Sequence, residues 1–438
     1  MSKNHWQNWS GIVQFNPQKI VYPHTEEEII AAIKKSVANK QELRVVGSGH
    51  SWTPLVETDH TLMSLDNYQG VVHIDKEKRQ ATVKAGTKLK YLGKLLFEQG
   101  LAMENLGDID VQAIAGAIST GTHGTGIAFG IIPTQIVALR LITASGEIIS
   151  CSASQNADIF KAAQVSLGAL GVISHITLRC VPAYKLKYVA SKQTVADCLQ
   201  NLQHNIANNR NYEFYWFPHT DTIQPKCSNL TNEAPIERSI GNFFNDYLIE
   251  NGLFGAISTI TRIKPNTSAA VARLTAAVLP QTEVRINWSH KVYATPRLVK
   301  FNEMEYNIPI EHFEAAFNDI RAAFEGHKFE VHFPIECRFL KGDDIWLSPA
   351  YGRDSAHISL HVFKGKPYQH YFNTCEAILQ KYNGRPHWGK MHNCQANKLS
   401  QMYPHWNDFL AIRQQLDPQQ LFINGYLRLL FGLDLPKA

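Results

Sequence analysis

The most constraining feature of the chain is a glycine-rich stretch at residues 107–133. It contains six glycines interleaved with small residues, and one histidine, His123. Backbone N–H groups can approach a bound group closely where no Cβ intervenes, and Ser and Thr hydroxyls add further donors. The stretch therefore predicts a loop that wraps around a ligand such as a diphosphate, although its composition alone fits a surface loop equally well.

A second glycine motif, GSGHS at 47–51, directly follows a short apolar strand predicted at 43–47. It lacks the third glycine of the dinucleotide fingerprint, and the following Trp-Thr-Pro does not favour the helix that the fingerprint requires. A Rossmann fold is therefore disfavoured. Taken alone, a histidine that follows two glycines is more often a turn residue than a cofactor anchor, so both interpretations stay open at this point.

The first 180 or so residues alternate between strand and helix patterns. Thr25 and Glu28 form a capping box ahead of isoleucines at helical spacing, which predicts a helix over 26–38. The other elements predicted here are a strand at 80–85, a helix from Thr87 that stops near Gly100, a β-hairpin around the turn at 144–146, a helix after Asn156 and a strand at 172–180.

From about residue 185 the chain changes to longer strands with marked alternation. In KFEVHFPIECRFL at 328–340, Glu330, His332, Glu336 and Arg338 share the face opposite the apolar residues. In AHISLHVF at 356–363, His357, Ser359 and His361 oppose Ile358, Leu360 and Val362. With a helix predicted at 311–325, this part is expected to be α+β: a large antiparallel sheet flanked by helices.

The length of 438 residues predicts two domains, because soluble domains usually run to roughly 100–200 residues. The change of pattern places them at 1–184 and 185–438. We expect the C-terminal segment, from about residue 400, to pack back on the first domain.

Composition narrows the partners and the compartment. The net charge is only +5 and no cluster of Lys or Arg concentrates it, so nucleic acid is not expected as a partner. Seven scattered cysteines without a C-x-x-C pair predict neither a metal site nor a disulfide framework. No apolar run reaches the roughly 18 residues of a membrane span, and the N-terminus lacks a secretory core, so we expect a cytoplasmic protein without a transmembrane segment.

Several motifs occur in order along nearly the whole chain: NWSG at 8–11, VVGSGHS at 45–51, NLGDID at 105–110, GAISTGTHGTG at 116–126, LGALGVI at 167–173, YWFPHTD at 215–221, ECRFLKGDDIWLSPAYGRD at 336–354, RPHWGKMH at 385–392 and LDPQQLFINGYL at 416–427. Together they resemble the sugar-lactone oxidase branch of the vanillyl-alcohol-oxidase flavoprotein family, which also includes alditol oxidases. The resemblance implies a two-domain flavoprotein with an N-terminal FAD-binding α+β domain and a C-terminal substrate domain.

The resemblance also implies FAD bound covalently through His50, because the family's histidine at this position carries the flavin. Members with two linkages use an additional loop cysteine, and none lies between 100 and 150, so a single linkage is expected. The residues that the resemblance assigns to FAD are Gly47, Ser48, Gly49, His50, Ser51, Gly116, Ser119, Thr120, Gly121, Thr122, His123, Gly124, Gly126, Gly171, Val172 and Ile173.

On the substrate side, the family's Glu-x-Arg pair and lysine correspond to Glu336, Arg338 and Lys390. The alternation in the strand agrees independently, because residues two apart point the same way. His361 matches the family's active-site histidine less closely, since His357 lies on the same face. Arg338 and Lys390 are expected to stabilise negative charge on the substrate oxygen, and Glu336 to orient Arg338 and accept a substrate hydroxyl.

The implied function is the oxidation of an aldono-1,4-lactone, such as L-gulono-, L-galactono- or D-arabinono-1,4-lactone, to ascorbate or an analogue, with oxygen as acceptor and hydrogen peroxide as product. WFPHTD at 216–221 favours a lactone, whereas WLSPAYGRDS at 346–355 favours an alditol such as xylitol or sorbitol. A dehydrogenase with another electron acceptor and a non-catalytic binding protein are further alternatives. The sequence does not define the oligomeric state.

Overall fold

The computed structural model describes residues 4–236, 251–294 and 299–434. Within them the chain forms five β-sheets and fourteen α-helices. The helices are α1 (Glu26–Ala38), α2 (Leu89–Glu98), α3 (Ile114–Ser119), α4 (Ala157–Gln164), α5 (Val195–Gln200), α6 (Leu202–Asn208), α7 (Asn251–Ile263), α8 (Ser268–Val278), α9 (Ser289–Val292), α10 (Phe313–His327), α11 (Gln369–Lys381), α12 (Ala396–Met402), α13 (Trp406–Leu416) and α14 (Gly425–Phe431). Three 3₁₀-helices lie at Ile132–Gln135, Pro265–Thr267 and Ile310–His312.

The N-terminal region contains four small sheets. A parallel sheet has the order β3 (Lys19–Val21), β5 (Thr61–Ser64), β4 (Leu43–Val46). An antiparallel sheet has the order β10 (Ile148–Ser152), β9 (Ile136–Ile142), β11 (Val172–Arg179), β7 (Gln80–Lys84), β6 (Val71–Asp75). Two strand pairs join β1 (Trp6–Gln7) to β2 (Gln14–Phe15) and β8 (Leu101–Ala102) to β12 (Val181–Pro182).

The fifth sheet is antiparallel and has nine strands. Its order is β17 (Thr282–Trp288), β13 (Lys185–Ser191), β16 (Thr222–Leu230), β15 (Asn211–Trp216), β19 (Ile335–Leu340), β20 (Ser355–Phe363), β18 (Phe301–Pro309), β21 (Arg385–Pro386), with β14 (Gln193–Thr194) also paired to β16. On one face Phe214 and Trp216 of β15 contact Phe317 of α10, and Tyr306 of β18 bonds to Glu376 of α11. The α+β class with a large antiparallel sheet flanked by helices is confirmed.

Helix α1 begins and ends where the sequence predicts. The Thr25 hydroxyl accepts a bond from Glu28 N, and the Glu28 carboxylate accepts one from His24 N, which together satisfy N–H groups at the start of the helix. Ile29 and Ile33 on its inner face are fully buried. The hairpin β9–β10 and the strand β11 also match their predictions within a few residues.

The prediction of one continuous strand over 328–340 is wrong, because the strand begins only at Ile335. Pro334 has no N–H to contribute to a ladder, and its carbonyl instead accepts a bond from His361 Nδ1. The side chain of His332 is therefore not on the face that carries Glu336. It lies under α7, where Ser258 and Thr261 contact both ring nitrogens.

The prediction of a loop over 107–133 is also incomplete, because the stretch contains α3 and ends in a 3₁₀-helix. Apolar Ile114, Ala117 and Ile118 are buried on one side of α3, so the short helix is held by packing. Elsewhere the differences are boundaries: α2 begins at Leu89 rather than Thr87, and α10 spans Phe313–His327 rather than 311–325.

The C-terminal segment bonds to the N-terminal region. Leu43 N donates to Leu421 O at 2.9 Å, and the Arg44 guanidinium bonds to the Phe422 carbonyl. Asn424 Nδ2 donates to Pro54 O at 2.8 Å. The strands of the nine-stranded sheet all lie beyond residue 184, and we retain 1–184 and 185–438 as the proposed domains.

Candidate active site

The face of the large sheet opposite α10 and α11 carries a row of polar side chains. The register pairs Arg338 of β19 with Glu213 of β15 and with His357 of β20. It also pairs Glu303 with His361 between β18 and β20. Because side chains alternate along a strand, the polar residues of four adjacent strands point into one cleft.

Arg338 lies among three carboxylates in this cleft. Its Nη2 is 2.5 Å from Glu336 Oε1 and 3.3 Å from Asp108 Oδ1, and its Nε is 2.9 Å from Glu213 Oε2. Burial disfavours the charged guanidinium, but these three carboxylates outweigh it and hold the pKa of Arg338 well above its usual value. Burial, reinforced by Asp108 and Glu213, raises the pKa of Glu336 despite the neighbouring Arg338. A guanidinium beside a carboxyl with a raised pKa suits a neutral, hydroxyl-rich ligand.

Lys390 is held by a carboxylate that was not predicted from the sequence. Its Nζ pairs with Glu303, and it lies 4.6 Å from the centre of the Trp52 ring. The other Glu303 oxygen is 3.5 Å from His361 Nε2. Although burial favours the neutral acid, Lys390 and His361 lower the pKa of Glu303. Burial opposes a charge on His361 as well, but its bond to Glu303 raises the pKa of His361.

The backbone around Lys390 is fixed to β18. His387 N donates to Glu305 O at 3.0 Å, and Met391 N donates to Glu303 O at 2.9 Å. The loop that carries Lys390 is therefore anchored on both sides of the lysine by the strand that supplies its carboxylate.

Glu305 is the centre of a second buried cluster. Its carboxylate contacts His123 Nε2 at 2.6 Å, His357 Nδ1 at 3.2 Å and Ser359 Oγ at 2.7 Å. Burial favours the neutral acid, but His123, His387 and His357 lower the pKa of Glu305 well below its usual range. His123 Nδ1 also faces the Gly124 carbonyl at 2.9 Å. Each ring nitrogen of His123 therefore faces an oxygen, Glu305 on one side and Gly124 on the other.

His123, Glu305 and His387 bring three potential metal-ligand atoms within 4.8 Å of one another. Several of their nitrogens already take part in hydrogen bonds. Both nitrogens of His123 face oxygens, and His387 Nδ1 accepts a bond from Gly389 N at 3.1 Å. This pattern favours a hydrogen-bonded cluster over a metal centre.

A cavity that opens to solvent lies in the N-terminal region, with about 980 Å³ of empty space including its open part. Among its lining residues are the predicted cofactor residues Gly47, Ser48, Gly49, His50, Ser51, Gly116, Ser119, Thr120, Gly171 and Ile173. Gly47 and Gly116 face each other, and a Cβ on Gly47 would lie 3.7 Å from Gly116 Cα. Gly49 has φ +67°, a conformation that favours glycine, and thereby turns the chain toward His50.

A second cavity of about 490 Å³ adjoins the first. Arg338, Lys390, Glu305, His123 and Thr122 line it. Both cavities share His50, Ser51, Gln112 and Thr120. The imidazole of His50 thus lies where the predicted cofactor cavity meets the cleft of the large sheet.

The residues at this junction fit a flavin. His50 Nδ1 and Gln112 Oε1 are buried and have no hydrogen-bond partner within the described residues. Burial, with Lys390 and Lys88, lowers the pKa of His50 to about 4, so its imidazole is neutral at neutral pH. The Trp9 ring stacks on the His50 ring, with 5.6 Å between the two ring centres. A neutral, unpartnered and oriented imidazole is the form that can act as a nucleophile toward a flavin methyl group.

Several predicted site residues do not line either of these two cavities. A Cβ on Gly121 would lie 3.4 Å from Pro349, Gly126 N donates to Phe339 O, and Val172 is buried in β11. Gly124 lines a third cavity on the other side of Arg338. Glu336 and His361 line neither of the two cavities; Glu336 contacts Arg338, and His361 contacts Glu303.

Sequence reasoning missed Asp108, Glu213, Glu303, Glu305 and His387. Two of them were detectable, because Glu303 and Glu305 alternate with Met304 and Tyr306 in FNEMEYNIP, as Glu336 and Arg338 do in their strand. His387 lies in the RPHWGKMH motif, but its neighbour Glu305 is 82 positions away in the chain.

Comparisons with known proteins agree with this geometry. The large sheet and the paired cavities define a two-domain flavoprotein of the vanillyl-alcohol-oxidase type. Among solved structures, cholesterol oxidase from Brevibacterium sterolicum superposes with a TM-score of 0.83 at 16% identity, over 98% of this chain and 97% of that one. A chitooligosaccharide oxidase superposes with a TM-score of 0.72 at 14% identity, over 99% and 94%.

The sequence profile of the D-arabinono-1,4-lactone oxidase family matches residues 176–430, and that of an FAD binding domain matches 17–152. An L-gulono-1,4-lactone dehydrogenase of Mycobacterium tuberculosis is 38% identical over 98% of this chain and 99% of its own length. The L-gulonolactone oxidase of Mus musculus is 35% identical over 97% and 98%. The chain belongs to the D-arabinono-1,4-lactone oxidase family, the sugar-lactone oxidase branch, and is an FAD-dependent oxidoreductase.

Proposed function

We propose that the protein oxidises an aldono-1,4-lactone at a carbinol carbon next to the ring carbonyl, with FAD bound through His50. The observation that carries the proposal is the position of His50, which lines both the glycine-walled cavity and the cleft of Arg338 and Lys390. Relatives named for L-gulono-1,4-lactone and D-arabinono-1,4-lactone support the substrate class. When bound, FAD accepts the hydride and later passes both electrons to an acceptor.

The residues of the cleft bind and polarise the substrate. Arg338 and Lys390 both line it, and positive groups stabilise the negative charge that develops on a hydroxyl oxygen as its proton leaves, a loss that accompanies hydride transfer from its carbon. Glu336 orients the guanidinium through its contact with Arg338 Nη2 at 2.5 Å. Glu303 positions Lys390 with one carboxylate oxygen, and His361 contacts the other oxygen.

The immediate product is a ketone next to the lactone carbonyl, which tautomerises to an ene-diol such as ascorbate or an analogue. No specific observation in the cleft favours an alditol over a lactone. Steady-state rates on L-gulono-1,4-lactone and xylitol, measured side by side, test the assignment. We expect a clearly higher kcat/KM for the lactone, and a preference for xylitol would contradict it.

The names of the relatives do not agree on the electron acceptor. One is named a dehydrogenase and others are named oxidases. We propose oxygen, with hydrogen peroxide as the second product. Exposure of the reduced enzyme to air tests this, because an oxidase regains its flavin absorbance within its turnover time.

The covalent link is tested by denaturing the protein in acid on a gel. We expect yellow fluorescence to migrate with wild-type protein and to be absent from His50→Ala. Fluorescence that persists in the variant would remove His50 as the anchor.

Within the described residues no helix combines the length and the apolar character that a membrane crossing requires. We propose a cytoplasmic location, which the seven unpaired cysteines support because a reducing compartment preserves free thiols.

A further inference from the structure

The NWSG motif at 8–11 supplies no group to the proposed reaction, yet it lies against the glycine-walled cavity. It forms a closed turn over residues 8–13, which we call the N-terminal turn. Asn8 Oδ1 accepts a bond from Val13 N at 3.2 Å, and Gly11 N donates to Asn8 O at 3.0 Å. Gly11 has φ +74°, a conformation that favours glycine. Since Asn8 is only 3% exposed, the turn is a fixed part of the structure.

The N-terminal turn holds the backbone on both sides of His50. Trp9 N donates to Gly49 O at 2.7 Å, and Asn8 Nδ2 donates to Ser51 O at 2.8 Å. Gly49 and Ser51 are the residues directly before and after His50 in the chain. The two bonds therefore limit how far the backbone that carries the imidazole can move.

The ring of His50 is oriented by stacking rather than by a hydrogen bond at Nδ1. That nitrogen is buried and has no hydrogen-bond partner within the described residues. A functional imidazole is commonly oriented by a bond at one ring nitrogen. The ring of Trp9 lies within 24° of parallel to the His50 ring, with 5.6 Å between their centres. The stacked indole takes over the orienting role, because rotation of the imidazole would bring the two rings into collision.

Trp9 also contacts two further aromatic residues. Its ring meets Trp52 edge-on at 6.1 Å between centres and Phe301 edge-on at 5.2 Å, and Trp52 and Phe301 stack on each other at 5.7 Å. Phe301 is the first residue of β18, the strand that carries Glu303. The indole therefore links the imidazole of His50 to the sheet that forms the substrate cleft.

We propose that the N-terminal turn positions His50 for covalent attachment to FAD, with Trp9 orienting the imidazole and Asn8 fixing the backbone that carries it. The inference rests on the proposed link through His50. Both are positioning residues, because they act through His50. Reactions between two bound groups are sensitive to placement, and an error of about 1 Å can slow them by roughly 100-fold.

Attachment forms a bond between an imidazole nitrogen and the carbon of a flavin methyl group. One N–H bond and one C–H bond break. The two protons and two electrons that are released reduce the flavin ring, and molecular oxygen then takes them up as hydrogen peroxide. The enzyme is left with an oxidised, covalently bound flavin, so the extent of attachment can be measured without any lactone substrate.

Acid precipitation of the purified holoenzyme tests the inference, because it separates two pools of flavin. Covalently bound flavin stays with the precipitated protein, whereas non-covalently bound flavin is released. In Trp9→Leu and in Asn8→Asp we expect the covalent fraction to fall at least roughly five-fold, while total flavin per protein stays within about two-fold of wild type. Asn8→Asp keeps an oxygen for Val13 N but removes the N–H that reaches Ser51 O.

Two further variants separate orientation from stability. Trp9→Phe keeps an aromatic ring beside His50 and should retain most of the covalent flavin. Trp288→Leu is the matched control, because Trp288 is also partly buried and packs on Phe97 at 4.8 Å, but lines neither of the cavities that His50 borders. Thermal unfolding should show a loss of stability in Trp288→Leu, with an unchanged covalent fraction.

Three results would overturn the inference. Covalent fractions in Trp9→Leu and Asn8→Asp that equal the wild-type fraction would show that the turn does not position His50. Equal loss of both flavin pools would show that the turn holds the cofactor or the fold. A Trp9→Phe variant as deficient as Trp9→Leu would show that the stacked ring is not the cause. Release of all flavin from the wild type is a different result, since it removes the covalent link of the proposed function and this inference with it.

Discussion

Lys390 is a cation held in a buried site by one carboxylate. Its side chain is 16% exposed and that of Glu303 is 4% exposed, so their attraction is screened little by solvent. A cation fixed in this way is available before substrate arrives and needs no reorganisation during the reaction.

We expect Lys390→Met to lower the rate constant for flavin reduction by L-gulono-1,4-lactone by about 100-fold, because it removes one of two cations from the cleft. Stopped-flow measurement under anaerobic conditions provides the rate. Lys381→Met is the control, since Lys381 is 65% exposed and pairs with Asp319 at the surface. A reduction rate within a few-fold of wild type would exclude Lys390 from the chemistry.

Glu303→Gln is expected to shift the pH dependence of flavin reduction. Glu303 helps to raise the pKa of His361, and an amide cannot stabilise the protonated ring in the same way. The pKa of His361 should therefore fall, and the limb of the pH profile that reports it should move toward lower pH. A limb that stays in place or moves to higher pH would show that Glu303 does not set the charge of this cluster.

At the scale of residues, the sequence revealed pairs in one strand but not pairs between distant segments. Glu336 and Arg338 are two positions apart, so the strand period places them on one face. His123 and Glu305 are 182 positions apart, and only the pairing of the two regions brings them to 2.6 Å. No local pattern contains that information.

At the scale of elements, the segment at 121–126 joins the two regions. The Thr125 hydroxyl donates to the carbonyl oxygens of Tyr212 and Phe339. Gly126 N donates to Phe339 O at 2.7 Å. Gly124 has no space for a side chain, since a Cβ there would lie 2.9 Å from the Leu106 carbonyl carbon and closer still to its oxygen.

We expect Gly124→Ala to destabilise the protein by about 1–3 kcal/mol and to lower its FAD content, because the backbone must move. Thermal unfolding and the ratio of flavin to protein absorbance measure the two effects. Gly326→Ala serves as the control, because a Cβ at that helical position meets nothing within 4 Å. Equal behaviour of the two variants would mean that the tight approach at Gly124 is not needed.

The element predictions succeeded where one local rule decided the outcome. The capping box defined the start of α1, and alternation defined β20. The prediction of a strand over 328–340 failed because the apolar–polar alternation of the sequence continues through Pro334. The hydrogen-bonded ladder of the strand cannot continue there, since proline has no N–H. Glycine content likewise concealed α3, whose small residues fit a helix packed against the cavity wall.

At the scale of the whole molecule, the C-terminal segment packs against the N-terminal region and forms hydrogen bonds with it. Asn424 caps α14 by accepting a bond from Leu427 N at 2.9 Å, and its amide donates to Pro54 O and Glu57 O at 2.8 Å each. Arg44, fully buried beside the large cavity, donates to Leu55 O at 2.8 Å and to Leu167 O at 2.9 Å. Residues from both ends of the chain therefore support the wall of the cofactor cavity.

We expect Asn424→Ala to lower the free energy of unfolding by about 1–3 kcal/mol, through loss of a cap and of bonds to two partly buried carbonyls. Denaturant titration followed by flavin and tryptophan fluorescence measures the change. The control is Asn201→Ala, whose exposed amide donates to Asp197 O at the junction of α5 and α6, and which should change stability by roughly 0.5 kcal/mol or less. A loss no larger than that of the control would show that the C-terminal segment is not a stabilising contact.

The meeting of the two regions at His50 was predicted from the sequence only through family resemblance. Composition and spacing indicated a ligand-binding loop and a polar sheet face separately, and neither pattern shows that they adjoin. The structure supplies that link, because one imidazole borders both cavities.

The most direct test of this account is anaerobic mixing of the purified yellow protein with L-gulono-1,4-lactone, followed by flavin absorbance. The account predicts that the absorbance band of the oxidised flavin bleaches with the lactone, and that the bleaching slows strongly in Lys390→Met. A flavin that stays oxidised with every aldono-1,4-lactone tried, while the protein is folded and loaded with FAD, would contradict it.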